Sequence, residues 1–206
     1  MTAEPSDGEI IARSQERPER FAEIFDRHYT EIHRYVDRRL GADAADDIAA
    51  ETFLVAFRAR ASYDPERTSA RPWLYGIATN LVSRHRRGEM RRYRAMARMD
   101  GRDAVEGHED RVVSAVTAQD GTLSAALADL AHGDRDVLLL VALAELSYTE
   151  VAQALGIAYG TVCSRLSRAR RKVREALPPP PPPPAPRPRP RPNPQPSSAT
   201  RGGARA

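Results

Sequence analysis

Apolar residues recur at steps of three and four along most of the chain, and no stretch shows the two-residue alternation of a half-buried strand, so the pattern predicts an all-α protein. Phe21, Ile24, Phe25, His28, Ile32, Tyr35, Val36 and Leu40 mark one face of a long helix that Gly41 stops. Ser6 or Asp7 is placed to cap a short helix through about Ser14, and Pro18 suits the opening turn of the long one. A third helix is predicted from Asp43 toward Ala61, with Ile48, Phe53, Ala56 and Phe57 turned inward. After a turn-like stretch from Ser62 to Pro72, a fourth buries Trp73, Leu74, Ile77, Ala78, Leu81 and Val82, with Trp73 as a core anchor in register with Ile77 and Leu81. Periodicity lapses from Asp100 to Asp120 and resumes at Leu123, where TLSAALADL and DRDVLLLVALAEL predict two more helices with Leu127, Leu130, Val137, Leu140, Val141 and Leu143 as core.

The stretch Tyr148 to Lys172, YTEVAQALGIAYGTVCSRLSRARRK, has the spacing of a helix-turn-helix. With Tyr148 as the first position, Ala152 is fifth, Gly156 ninth and Val162 fifteenth. A small residue lets the second helix cross close at Ala152, and Gly156 can take the positive φ that reverses the chain. Val151, Leu155, Val162 and Leu166 close the wedge, which leaves Thr161, Cys163, Ser164, Arg165, Ser167 and Arg168 outside, in reach of a major groove. A helical hairpin with a polar outer face would share the glycine turn. Three positional matches and the cations Arg165, Arg168, Arg170, Arg171, Lys172 and Arg174, with only Glu175 beside them, favour DNA.

Charge refines this division. The chain of 206 residues has a formal charge of +4, but Arg187, Arg189, Arg191, Arg201 and Arg205 lie beyond Leu177 with no acid among them, and without them the rest carries about −1. Nucleic-acid binding therefore rests on local patches. One is the continuation of the fourth helix, SRHRRGEMRRYRAMAR, where Arg84, Arg86, Arg87, Arg91, Arg92, Arg94 and Arg98 face only Glu89 and suit a phosphate track. Asp100 to Asp120 holds six acids against two cations and reads as a flexible linker. From Pro178 onward lie 13 of the 17 prolines, a run of seven followed by a stretch alternating with arginines, a composition for a disordered tail with polyproline II stretches; a solvated extension is favoured there over a docking strip or arginines that add loose affinity for DNA. The domains expected are 7–98, a linker at 99–121, 122–177, and a tail at 178–206. The single Cys163 excludes an internal disulfide and a cysteine-rich zinc site, the N-terminus lacks the apolar core of a secretory signal, and no run approaches the length of a membrane span, so a cytoplasmic protein without membrane insertion is expected.

FAEIFDRHYTEIHRYVDRRLG, DAADDIAAETFLVAF, RPWLYGIATNLVSRHRR and LSYTEVAQALGIAYGTVCSRLSRARRKV occur in this order, and together the chain resembles the extracytoplasmic-function sigma factors of bacterial RNA polymerase. The resemblance implies a sigma-2-like domain that opens the minus-ten promoter element and a sigma-4-like domain that reads the minus-thirty-five element as duplex. It assigns Tyr63, Arg67, Thr68, Ser69 and Arg71 to the loop that takes the displaced single strand, and Asn80, Arg84 and Arg87 to the helix used at the same element. Thr161, Cys163, Ser164, Arg165, Ser167, Arg168 and Arg171 are the corresponding upstream contacts. Asp43, Asp46, Asp47, Glu51 and Phe53 fall on the helix that in the family docks on the clamp helices of the largest polymerase subunit; partner binding is favoured for these acids over the plainer roles of helix-dipole pairing or a solvated face. The flap of the second-largest subunit and an anti-sigma factor are further implied partners. Family linkers pass through the RNA channel, where negative charge would imitate a transcript, although acidity also serves solubility. Cys163 stands where lysine or arginine is common, Ser167 where histidine is frequent, and AAETF replaces a glutamine-containing stretch.

Two other classes compete. A stand-alone regulator would bind duplex tightly without polymerase, but one helix-turn-helix and no evident dimer helix speak against paired half-sites. An enzyme would draw on His28, His33, His85, His108 or His132, yet there is no glycine-rich phosphate loop and no nucleophile beside an evident base. Asp47 and Glu51 have a metal-site spacing but no histidine to complete it, so neither cofactor, metal nor enzymatic activity is expected.

Overall fold

The computed structural model describes residues 4–99 and 121–177, and within them the side chains of 4–96 and 121–177. The linker predicted between the domains and the proline–arginine tail therefore lie almost wholly outside the described residues. Every regular element among the described residues is helical.

Ser6 opens α1 (Asp7–Glu16) with a capping box: its hydroxyl accepts from the Glu9 N–H, and the Glu9 carboxylate accepts from the Ser6 N–H. A short 3-10 turn, Pro18–Phe21, leads into α2 (Ala22–Leu40), and Gly41 at φ 86° breaks it from α3 (Ala42–Ala59). A second 3-10 turn, Arg60–Ser62, precedes the loop 63–70 and then α4 (Arg71–Met99). The first half of α4 buries Leu74, Tyr75, Ala78, Leu81 and Val82, whereas no side chain from Ser83 to Met96 is buried. Trp73 is half-buried and packs on the core with its ring 4.9 Å from that of Tyr63. Phe25 departs from the predicted buried face: it is 38% exposed, stacked on Tyr29.

The second half comprises α5 (Gly121–Ala128), α6 (His132–Leu143), α7 (Tyr148–Leu155) and α8 (Tyr159–Ala176). Arg135, 2% exposed, donates to the carbonyls of Leu127, Ala128 and Leu130, satisfying acceptors at the end of α5 that have no partner in the helix. α6 ends before the predicted Leu146, because Glu145 takes a left-handed φ of 53° that no helix can absorb.

The sequence suggests a separate core for each half, but the packing joins them. Val137, Leu140, Val151, Val162 and Leu166 share one apolar cluster with Ile32, Val36, Leu74 and Val82, while Leu127, Leu130, Leu139 and Ala169 form a smaller one. α4 and α7 meet at Gly76, where an added Cβ would lie 2.3 Å from the Ala154 carbonyl oxygen. Polar bonds also join the halves. Arg39, 4% exposed, donates to the Tyr35 hydroxyl at 2.8 Å and to Asp136 of α6 at 2.6 Å, and the Tyr35 and Thr79 hydroxyls share a hydrogen bond at 2.8 Å. Gly76→Ala is expected to push α7 off α4 and destabilise the protein by about 1–3 kcal/mol. Urea unfolding with amide exchange across α7 measures this, and an unchanged midpoint would show that the close approach does not hold the halves together.

Candidate nucleic-acid interface

α7 repeats the device of α1: the Ser147 hydroxyl accepts from the Glu150 N–H while Glu150 accepts from Ser147. Gly156 ends the helix at φ 62°, ψ 36°, and the Ile157 N–H closes the turn on the Ala152 carbonyl at 3.1 Å. The wedge is as the spacing predicts, with Val151, Val162 and Leu166 buried and Leu155 half-buried. On the far side of α8, Ser164, Ser167, Arg168 and Arg171 are exposed, and Thr161, Cys163 and Arg165 are half-buried. Several of these are already engaged: the Ser164 hydroxyl donates to the Thr161 carbonyl at 3.0 Å, and Arg171 lies 3.8 Å from the Glu175 carboxylate. Arg168 makes a bidentate pair with Asp134 at 2.9 and 3.1 Å, and the Arg165 guanidinium lies against Gly133, where a Cβ would come within 2.7 Å of Nη1. Tyr159, 55% exposed at the first turn of α8, adds an aromatic ring that the wedge pattern does not single out, because its place lies before the first apolar position.

On α4, Asn80, Arg84, Arg87 and Arg91 are exposed at steps that keep them on one side of the helix. A cleft of about 490 Å³ lies between this stretch and α6, lined among others by Arg39, Asn80, Arg87, Arg91, His132 and Asp136. The side chain of Arg98 lies outside those described.

The loop 63–70 is organised differently from the expectation. Tyr63 is 6% exposed, and its hydroxyl shares a proton between the carbonyls of Arg67 at 3.2 Å and Ser69 at 3.0 Å, so its ring is scaffold rather than a free stacking surface. Arg67 and Thr68 are exposed, and Ser69 is half-buried with its hydroxyl accepting from the Arg71 N–H. Arg71 is also tied down: Nε donates to Glu31 at 3.0 Å and Nη2 to the Ala144 carbonyl of the second half at 3.1 Å.

Behind the loop runs a chain of charges that the periodicity does not reveal, because His28 occupies a position of the apolar stripe. Its Nε2 lies 2.8 Å from Asp7 Oδ2 and its Nδ1 2.7 Å from Glu31 Oε1, so both ring nitrogens donate to carboxylates and the ring is an imidazolium. Asp7 also accepts from Arg27 at 3.2 Å and from the Ala70 N–H at 2.8 Å. Burial opposes the charge on His28, but the hydrogen bonds from its ring to Asp7 and Glu31, with their charges, outweigh it and raise its pKa to about 9. Burial likewise works against the Asp7 carboxylate, and the bonds from His28 and Ala70 overcome it to hold the group at about 2. Burial pushes the Tyr63 hydroxyl up to about 12, with the Asp7 charge adding to it.

The acids of α3 lie on another face. Asp43, Asp46 and Asp47 are exposed, Glu51 is half-buried, and Phe53 is 4% exposed, supporting the exposed Phe25 ring edge-on at 5.0 Å. Leu54, 46% exposed, follows it on α3. Among the described residues no group of three or more His, Cys, Asp or Glu could hold a metal, and no helix is long and apolar enough to cross a membrane.

Residues 24–92 match Sigma-70 region 2, and residues 121–173 match Sigma-70, region 4. The chain is 36% identical over 146 residues to the ECF RNA polymerase sigma factor SigC of Mycobacterium tuberculosis, a stretch covering 68% of this chain and 74% of that protein. This chain is an ECF sigma factor of the sigma-70 family. It is also 32% identical over 166 residues to the ECF sigma factor SigW of Bacillus subtilis, with 76% of this chain and 88% of that one covered. Among solved structures, CnrH in complex with the cytosolic domain of CnrY superposes with a TM-score of 0.55 at 25% identity, covering 82% of this chain and 95% of that chain. The sigma factor RpoE of Bartonella quintana, solved with the anti-sigma factor NepR, shares the fold with a TM-score of 0.52 at 22% identity over 76% and 95%. The function of this sigma factor is promoter-specific transcription initiation, and a stand-alone regulator is not favoured.

The charge chain gives this sigma factor a pH signature. A raised His28 pKa contributes stability that is complete below about 6.5 and lost as pH rises through about 9; a depressed Asp7 pKa contributes stability present above about 3.8 and lost as pH falls toward 2. Each limb is expected to be worth on the order of 2 kcal/mol. Thermal melts at constant ionic strength should show the alkaline decline in the wild type and a flatter profile in His28→Gln; equal profiles would mean that His28 is not charged in the folded state.

Proposed function

We propose that the two halves of this sigma factor divide the promoter, with 7–98 holding core polymerase and the minus-ten element and 122–177 reading the upstream element. The observation that carries this is the presence, on one chain, of two cationic surfaces of different construction. One is the exposed face of α8, the helix that follows the Gly156 turn, shaped for intact duplex. The other joins a polar loop carrying Arg67, Thr68 and Ser69 to the row Asn80, Arg84 and Arg87, which suits an unstacked strand and its backbone. Arg71 and Tyr63 support that loop from below, and Arg168 must exchange Asp134 for a phosphate if it is to touch DNA.

Core polymerase is the partner for the α2–α3 face, where Asp43, Asp46, Asp47 and Glu51 border the exposed Phe25 and Leu54; acids at the rim steer, and the apolar centre holds. Phe53 serves there as the support of Phe25. The clamp helices of the largest subunit are the surface assigned to this face and the flap of the second-largest to the 122–177 half. RpoE of Bartonella quintana was solved with an anti-sigma factor, and an inhibitor of that kind is the third partner assigned here. The protein acts in the cytoplasm and carries out no chemistry of its own.

The chain and core polymerase together are expected to start transcription at a defined promoter where neither does so alone; tight, specific duplex binding by the chain without polymerase would instead restore the stand-alone regulator. Arg171→Ala should weaken upstream-element binding about tenfold and lower the salt slope by about one, while leaving binding to core polymerase unchanged. Filter binding across a salt series decides it, and an unchanged slope would remove Arg171 from the interface.

A further inference from the structure

We propose that Asp7 is a positioning residue for promoter opening, holding the loop 63–70 in the shape that captures an unstacked base. This rests on the reading above, in which that loop takes the minus-ten strand. The first turn of α1 and the loop are far apart in sequence, yet they share a set of bonds that leaves the loop backbone few alternatives. The Asp7 N–H donates to the Thr68 carbonyl at 3.2 Å, and the Ala70 N–H donates to the Asp7 carboxylate at 2.8 Å. Between them, the Tyr63 hydroxyl engages the carbonyls of Arg67 and Ser69. Three consecutive carbonyls, of residues 67, 68 and 69, are thus bound on the inner side, while the side chains of Arg67 and Thr68 remain exposed.

Gly8 completes the arrangement. A Cβ there would lie 2.3 Å from the Pro65 carbonyl oxygen and 2.6 Å from that of Arg67, so the loop rests directly on α1 with no room for a side chain between them. Asp7 itself is 6% exposed and is held by Arg27 on one oxygen and His28 on the other, so its own position is fixed before DNA arrives. A loop ordered in advance loses little entropy when a base enters, and the energy of the contacts goes to opening the duplex instead of to ordering protein.

The test uses the full chain assembled with core polymerase. The probe is a fluorescent single-stranded oligonucleotide carrying the non-template minus-ten sequence mapped from this holoenzyme's transcript starts, titrated well below the melting temperature. Asp7→Ala is expected to weaken oligonucleotide binding about tenfold, with association to core polymerase and binding of upstream duplex unchanged, a split that general destabilisation does not produce. Arg67→Ala and Thr68→Ala are the comparators. If they weaken the oligonucleotide and Asp7→Ala binds it like the wild type, the positioning role is overturned while the loop reading stands. If all three bind like the wild type, the loop reading itself falls and takes the positioning role with it. Should Asp7→Ala fail to fold, Gly8→Ala displaces the loop at the Pro65 and Arg67 carbonyls without removing a charge, and wild-type affinity in that variant overturns the proposal equally.

Discussion

An imidazolium enclosed by two carboxylates is the constraint around which the first half of the molecule is assembled. Charge at a site as enclosed as that of His28 is tolerated only when it is fully paired, and here the pairing recruits one element after another: α1 through Asp7, α2 through Glu31, and the root of α4 through Arg71. Arg71 then reaches the Ala144 carbonyl, so the same chain of bonds arrives at the second half. Net stabilisation from such a network is modest, because desolvation offsets much of the Coulomb gain. Its effect is geometric: removal of any member strands the others, so α1, α2 and α4 are held in one relative arrangement.

The two halves meet through a different balance of forces. Their common apolar cluster supplies non-directional attraction, and Gly76 allows the backbones of α4 and α7 to approach closely. The Arg39–Asp136 pair and the Arg71–Ala144 bond add direction. Polar bonds of this kind exchange for water at less cost than apolar area does, so the joint couples a definite docked geometry with groups that are readily rehydrated.

Most of the helical framework was legible in the sequence because it depends on local rules. The three- and four-residue steps of α2, the Ser6 cap, the stop at Gly41 and the turn at Gly156 each involve residues within a turn or two of one another. What escaped involves partners far apart. Periodicity treats His28 as one more inward position, and nothing near it announces that Asp7 supplies the counter-charge or that Ala70 shares it. Tyr63 looked like a stacking surface because it is an aromatic in a polar loop; its burial follows from the carbonyls it binds and from the Trp73 ring beside it. Phe25 fits the apolar face by spacing, yet it sits at the edge of that face, where α3 meets it only edge-on through Phe53, which leaves it partly exposed. Sequence spacing locates the faces of an element. How far each face is covered is decided by the next element's path.

The length of α4 has a mechanical consequence. At about 1.5 Å per residue its 29 residues form a rod of roughly 43 Å, clamped in the core along its first half and free of it along the second. Arg86 braces the midpoint by donating to the Arg39 carbonyl. Such a rod is a cantilever: a rotation of a few degrees at its root, too small to disturb the packing of Leu74 or Leu81, sweeps its outer arginines through ångströms. The register between those arginines and any polyanion along them is therefore set by how stiffly the root is gripped.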